Sequence, residues 1–175
     1  NYVNMALAIS DLNTRGVSAN VTFDIASGHT ETAPAGGYTI NYCGLSDGLK
    51  PSASQTVTFQ GGAIAAVITA GVGTGTFDAM VKLVGADYIT FDKVNLQESA
   101  GNTTTTTQME AGYALLKCDG TDGANNNTIS NSSITLNKTN TASVGIYMNN
   151  HTGSSTADLA FTGTVDQPGY DKFKS

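Results

Sequence analysis

Apolar residues along this chain recur with two periods, and the longer one is confined to a single place. In Met5-Ala-Leu-Ala-Ile-Ser-Asp-Leu12, positions 5, 8, 9 and 12 are apolar, the i, i+3, i+4, i+7 spacing of one helix face. Asn13 and Gly16 supply a stop. Two helical turns are too short to stand alone, so the segment is expected to pack as a cap over the first coil. Beyond it the period is two. Val21-Thr-Phe-Asp-Ile25, Val57-Thr-Phe59, Met80-Val-Lys-Leu-Val84 and Tyr88-Ile-Thr-Phe91 read as short strands. Turn signals separate them at Gly36-Gly37, Asp47-Gly48, Gly61-Gly62, Gly71-Val-Gly73 and Asp122-Gly123. The five threonines from Thr103 to Thr107 predict an extended surface excursion, because threonine is both β-branched and polar.

The strand-like segments repeat. Ile89-x4-Val94-x-Leu96 has the same spacing as Ile129-x4-Ile134-x-Leu136, and Phe173 marks the start of a third copy. Equivalence of Ile89, Ile129 and Phe173 gives steps of 40 and 44 residues. Interleaved segments beginning at Asp78, Ala111 and Ser143 align Met80, Tyr113 and Ile146 at steps of 33. Two strand types per repeat imply roughly 20 residues per coil, the scale of a solenoid repeat. The connections are longer and less regular than hairpin turns, which disfavours a β-sandwich. The expected fold is all-β: a single-stranded right-handed parallel β-helix (solenoid) with a short N-terminal capping helix. Residues 1–20 form the cap region and 21–175 the coils, with an uncapped C-terminal end. Asparagine suits coil corners because it tolerates left-handed backbone, and Asn131 and Asn125 to Asn127 are placed there.

The segments GADYITFDKVNLQES, TTTTTQMEAGYALLK and NNTISNSSITLNKTNTASVGIYMNNHT resemble the right-handed parallel β-helix repeat of large secreted cell-surface proteins of Bacteroidetes-type bacteria. The N-terminal stretch ALAISDLNTRGVSANVTFDIASGHTET is similar to the region of pectate-lyase-like folds where a short helix plugs the open end. The resemblance implies secretion to the cell surface or beyond. It leaves function divided between adhesins, structural proteins and polysaccharide-acting enzymes.

Composition narrows the partners. Threonine (25), glycine (20), asparagine (15) and serine (14) make up more than four residues in ten, and only 13% are charged. A net charge of -6 with one arginine, Arg15, excludes a phosphate-neutralising nucleic-acid surface and an electrostatic membrane anchor. No apolar run reaches the ~20 residues of a membrane-spanning helix. A hydrophobic share of 39% is too high for disorder. The first residues, Asn1-Tyr2-Val3-Asn4, are neither an initiator methionine nor a signal peptide, which suggests a mature or excised chain.

Candidate chemistry is sparse. Polysaccharide hydrolysis needs paired carboxylates, and no acid pair repeats at coil spacing, although Asp87 and Asp92 flank one strand with Lys82 and Lys117 on neighbouring coils. Asp119 and Asp122, in Asp119-Gly-Thr-Asp-Gly123, are the weak calcium candidates against a plain-turn reading. No other cofactor is expected. His29 and His151 lack ligand partners at metal spacing. Tyr88, Tyr113 and Tyr147 are candidate sugar-stacking residues, with strand-lining rings as the alternative. Cys43 and Cys118 are compatible with a long-range disulfide or with two buried thiols. Six sequons, from Asn20 to Asn150, are glycosylation candidates in a eukaryotic secreted protein, but a chain this rich in Asn and Thr also gives them by chance, the reading that the bacterial resemblance favours.

Two functions are therefore carried forward. The first is a non-enzymatic structural or adhesive module of a secreted cell-surface or extracellular fibre protein. Its partners would be other copies of itself, assembling head-to-tail, further coils of a longer chain, or surface polysaccharide. The alternative is a carbohydrate-active enzyme or carbohydrate-binding module of the pectate-lyase-like group.

Overall fold

The computed structural model describes residues 1–75 and 77–155 and the backbone of 172–174. Helix α1 (Met5–Arg15) precedes strands β1 (Val21–Ile25), β2 (Thr30–Thr32), β3 (Tyr38–Asn41), β4 (Val57–Gly61), β5 (Ala66–Thr69), β6 (Ala79–Val84) and β7 (Ile89–Asp92). The remaining strands are β8 (Val94–Gln97), β9 (Ala111–Lys117), β10 (Thr128–Ser130), β11 (Ile134–Thr135), β12 (Val144–Thr152) and β13 (Lys172–Lys174). They form three sheets, ordered β1-β4-β7-β10-β13 (sheet A), β2-β5-β8-β11 (sheet B) and β3-β6-β9-β12 (sheet C). Each strand pairs in parallel with its counterpart one turn later. The chain is a parallel β-solenoid of about four turns, as the repeat pattern predicts.

The pitch differs from the expected 20 residues. Each turn carries three strands, and sheet A recurs at steps of 36 and 32 (Val21, Val57, Ile89) and of 38 and 44 (Phe91, Ile129, Phe173). Register corrects the repeat alignment as well. Ile129 lies opposite Phe91, not Ile89, and Ile134 opposite Leu96, not Val94, so Leu96 and Leu136 are not equivalent either. These slips are of two residues and keep every side chain on its predicted face. Ile129 and Phe173 do share a register position. In sheet C, Tyr113 pairs with Val81 and Ile146, so Met80 is one residue out of register.

Corners explain the pitch. Strand β7 lies between Tyr88 and Lys93, with φ of 53° and 55°; in the next turn Asn126 and Asn131 take φ of 56° and 50°. These are left-handed conformations, tolerated by asparagine and strained for tyrosine and lysine. The predicted asparagine corners are therefore present at Asn126 and Asn131. Thr103–Thr107, by contrast, is a compact exposed turn: the Thr107 and Gln108 amides both donate to the Thr104 carbonyl.

Inside the coil, equal side chains stack into columns. Phe23, Phe59 and Phe91 lie face to face with centroids 4.9 and 4.8 Å apart, the spacing of adjacent strands. The middle of sheet C is buried on both faces: all seven residues of β9 and five of the six in β6 are buried, whereas β3 and β12 are partly exposed. Its outer face carries a second apolar cluster of Ala79, Val84, Ala111, Ala114 and Leu116, with Phe77 and Tyr147 packed on it.

Helix α1 covers part of the first turn. Asn4 caps it by accepting from the Leu7 amide at 3.0 Å, and Gly16 ends it at φ 63°. Met5, Ala8, Ile9 and Leu12 are the buried stripe. The helix runs through Asn13, whose side chain serves another purpose than a stop. Its amide donates to the Thr39 carbonyl at 2.7 Å and its oxygen accepts from the Asn41 amide at 2.9 Å, which satisfies the free edge of β3. Replacing Leu12 (4% exposed) by Asp is expected to cost about 3–5 kcal/mol, because it buries an uncompensated charge. Denaturant titration beside Leu12→Met checks this; unchanged melting of the Asp variant would rule out a buried cap.

Candidate functional site

A concavity of about 710 Å³ lies between strand β1 and helix α1 with its leader Asn1–Asn4. Its apolar wall is Val21, Phe23, Ile25 and Phe59, and Asp11, Arg15, Asp24, His29 and Glu31 stand around it. Val21, Phe23 and Ile25 are half-buried because no turn precedes β1 among the described residues. Their neighbours Val57 and Phe59 are fully enclosed. Tyr2 closes part of the rim, its ring 5.7 Å from that of Phe23 and its hydroxyl donating to Asp11 at 2.7 Å.

Most polar groups of the groove are occupied. Asp11 also meets Arg15 at 3.4 Å. Glu31 accepts from the Met5 amide with both oxygens, at 3.2 and 3.1 Å, and lies 2.8 Å from His29 Nε2. The Tyr38 hydroxyl donates to the same carboxylate. Burial, then that hydrogen bond, then the Glu31 charge push the Tyr38 hydroxyl far above its ordinary pKa. Glu31 thus ties the start of α1 to the first coil. Asp24 is exposed and has no polar partner among the described residues. Sequence reasoning missed this groove, although the alternation Val21-Thr-Phe-Asp-Ile25 already put Phe23 and Asp24 on opposite faces.

The other candidates lie apart from it and from one another. Tyr113 is fully buried in the core, its hydroxyl raised by burial, and cannot stack on a sugar. Tyr88 occupies a coil corner. Tyr147 packs against Phe77 at 4.4 Å on the outer face of sheet C, and its hydroxyl lies 2.9 Å from His151 Nε2. The three rings therefore form no row.

Asp119 accepts from the Thr121 amide at 2.7 Å, the Thr121 hydroxyl at 2.9 Å and the Asp122 amide at 3.1 Å. Those bonds, the Thr121 amide foremost, hold its carboxyl below the ordinary range. Asp122 accepts from Lys50 Nζ at 2.8 Å. Among the described residues no three His, Cys, Asp or Glu side chains are grouped to hold a metal ion. Lys117 is buried and donates to the Gly120 carbonyl at 3.3 Å; Lys82 sits 3.8 Å from Asp78.

Cys43 and Cys118 form a disulfide, Cα to Cα 5.4 Å. It joins the corner after β3 to the corner after β9, two turns on, and so passes over the corner after β6.

Asp92 joins three neighbouring side chains on the outer face of sheet A. It accepts from Gln60 at 2.6 Å on one turn, and from Ser130 at 2.7 Å and Asn131 at 2.6 Å on the next. Burial alone would raise its carboxyl, but those bonds together with the Lys93 charge outweigh it and lower the pKa. A depressed folded-state value means stability that is present above the ordinary carboxylate pKa of about 3.9 and lost as pH falls through the lowered one. Asp92→Asn is therefore expected to be less stable than the parent at pH 7, with the gap closing in strong acid. Thermal melts across pH check this, and a gap that widens in acid would refute it.

Comparison with family models, curated proteins and solved structures returns no match. The class that the geometry defines is a parallel β-solenoid with an N-terminal helix. No helix among the described residues is long and apolar enough to cross a membrane.

Proposed function

We propose that this solenoid is a non-enzymatic structural or adhesive module of a secreted bacterial cell-surface or extracellular fibre protein, related to the right-handed β-helix repeats it resembles in sequence. The observation that carries the reading is the use made of its acids. Glu98 accepts from the Met109 amide at 2.8 Å and the Asn102 side chain at 2.8 Å. Glu110 accepts from the Asp78 amide at 2.8 Å and Asn140 at 3.0 Å, and Asp87 from the Asn125 amide at 2.6 Å. Asp78 accepts from the Thr74 and Gly75 amides at 2.6 and 2.8 Å. Carboxylates whose oxygens are taken up by backbone amides and side chains, several of them from turn to turn, serve as cross-ties of the coil, the use expected of acids in a structural module. The disulfide suits an oxidising compartment. On the outer face of sheet A, Thr22, Thr58, Thr90 and Thr128 stand in one rank, a neutral hydroxylated surface compatible with polysaccharide contact.

The test is incubation with neutral and acidic polysaccharides, with and without calcium, following reducing ends and unsaturated uronate absorbance alongside retention in polysaccharide gels. Retention or inertness without cleavage is expected. Calcium-dependent release of unsaturated products would replace this reading by the carbohydrate-active alternative.

A further inference from the structure

At the first turn the three sheets begin with β1, β2 and β3, and the protein treats these edges differently. Asn13 hydrogen-bonds to the backbone of β3, and the start of α1 is tied to Glu31 of β2. The outer edge of β1 has no backbone partner among the described residues. Behind it the groove exposes Val21, Phe23 and Ile25, the ends of columns that are sealed one turn later. A five-residue strand with a free edge and an apolar inner face is complementary to another extended backbone, since only that meets its N–H and C=O groups at the sheet's own spacing.

The opposite edge of sheet A supplies such a strand. Among the described residues sheet A has five strands, of which β13 is the last. Its register continues both of the ranks that end at β1. Position 173 follows Phe23, Phe59, Phe91 and Ile129. Position 174, a lysine, follows Asp24, Gln60, Asp92 and Ser130. Asp24, the unpartnered acid at the groove, and Lys174 thus occupy the two ends of one rank.

We propose that the groove over β1 receives strand β13 of a second copy of this chain, added in parallel and in the register of sheet A. Position 173 then comes into register with Phe23, from which the Tyr2 ring, 5.7 Å away at the rim, swings aside. Lys174 comes beside Asp24 at the interstrand spacing of about 4.8 Å, where opposite charges attract. Helix α1, held against β3, stays in place. The contact joins unlike ends, so it propagates into a filament unless its rotation closes a ring. It stands apart from the structural reading above: an enzyme on the same scaffold would associate identically, so polysaccharide cleavage would sink that reading and leave this one.

The experiment is sedimentation velocity and light scattering of the 175-residue chain over a range of concentrations and salt, with electron microscopy of the largest species. Concentration-dependent association that weakens with salt is expected. Asp24→Lys and Lys174→Asp should each weaken it at least about fivefold, and the double swap should restore it. Far-ultraviolet dichroism of each variant separates lost association from lost folding. A chain that stays monomeric throughout, folded single variants that associate like the parent, or a double swap no better than the singles would each overturn the proposal.

Discussion

Reducing the Cys43–Cys118 bond is expected to lower the unfolding free energy by about 4–5 kcal/mol while leaving the sheets assembled in mild conditions. The bond closes a loop of 75 residues, and in the chain-entropy account a loop of that length gives a value of this size. The folded state does not depend on the bond for its local geometry. Lys50 and Asp122 join the same two corner regions at 2.8 Å, and the parallel ladders run on either side. Cys43 is exposed, so a soluble dithiol reaches the sulfur and takes up the bond as its own disulfide, leaving two thiols. The Cys43→Ser, Cys118→Ser double variant should melt together with the reduced parent, well below the oxidised one. Coincident melting of oxidised and reduced protein would refute the assignment. Gly85 offers an independent check. It turns the corner beneath the bridge at φ 53°, and a Cβ there would lie 2.7 Å from Cys118 Sγ. Gly85→Ala should accordingly raise the free-thiol titre of freshly oxidised protein.

The parts of the fold that are legible from the sequence are those where one face is wet and the other dry. The stripe at Met5, Ala8, Ile9 and Leu12 and the alternation of Val21–Ile25 correspond to the buried and exposed sides of α1 and β1. Strand β9 loses that signal because both of its faces are covered, so it reads as a featureless apolar run. The pitch is hidden because β7 and β8 are separated by Lys93 alone, and two strands around a one-residue corner look like one. The two-residue register slip traces to Asn127. In the observed register this asparagine, not Ile129, is the counterpart of Ile89, and it is buried. Its oxygen accepts from the Ile89 amide at 2.9 Å and its amide donates to the Ala86 carbonyl at 2.9 Å. A buried polar residue satisfied by the previous turn is invisible to a search for apolar spacing. The groove is equally hidden. Phe23 and Phe59 sit in the same sequence context, Val-Thr-Phe, and differ only in whether a turn of chain lies above them.

That difference yields the last expected result. Phe59 is fully buried and stacked on both sides, by Phe23 at 4.9 Å and by Phe91 at 4.8 Å. Phe59→Ala removes both contacts and leaves a cavity in the middle of the column, which coil-to-coil hydrogen bonding prevents from collapsing. The expected cost is about 3–5 kcal/mol. Phe23 has one stacked neighbour, Phe59, with the tilted Tyr2 ring 5.7 Å away at the rim, and borders the groove, so Phe23→Ala removes less buried area and opens a space already continuous with solvent, for about 1–2 kcal/mol. Urea titrations at low protein concentration read the contrast directly, as a larger fall in midpoint for Phe59→Ala at an unchanged slope. Equal costs at low concentration would mean that Phe23 is enclosed within the monomer and that the groove is not open. A Phe23→Ala penalty that grows with protein concentration would instead locate its cover in a second molecule, because only an intermolecular contact makes stability depend on how much protein is present.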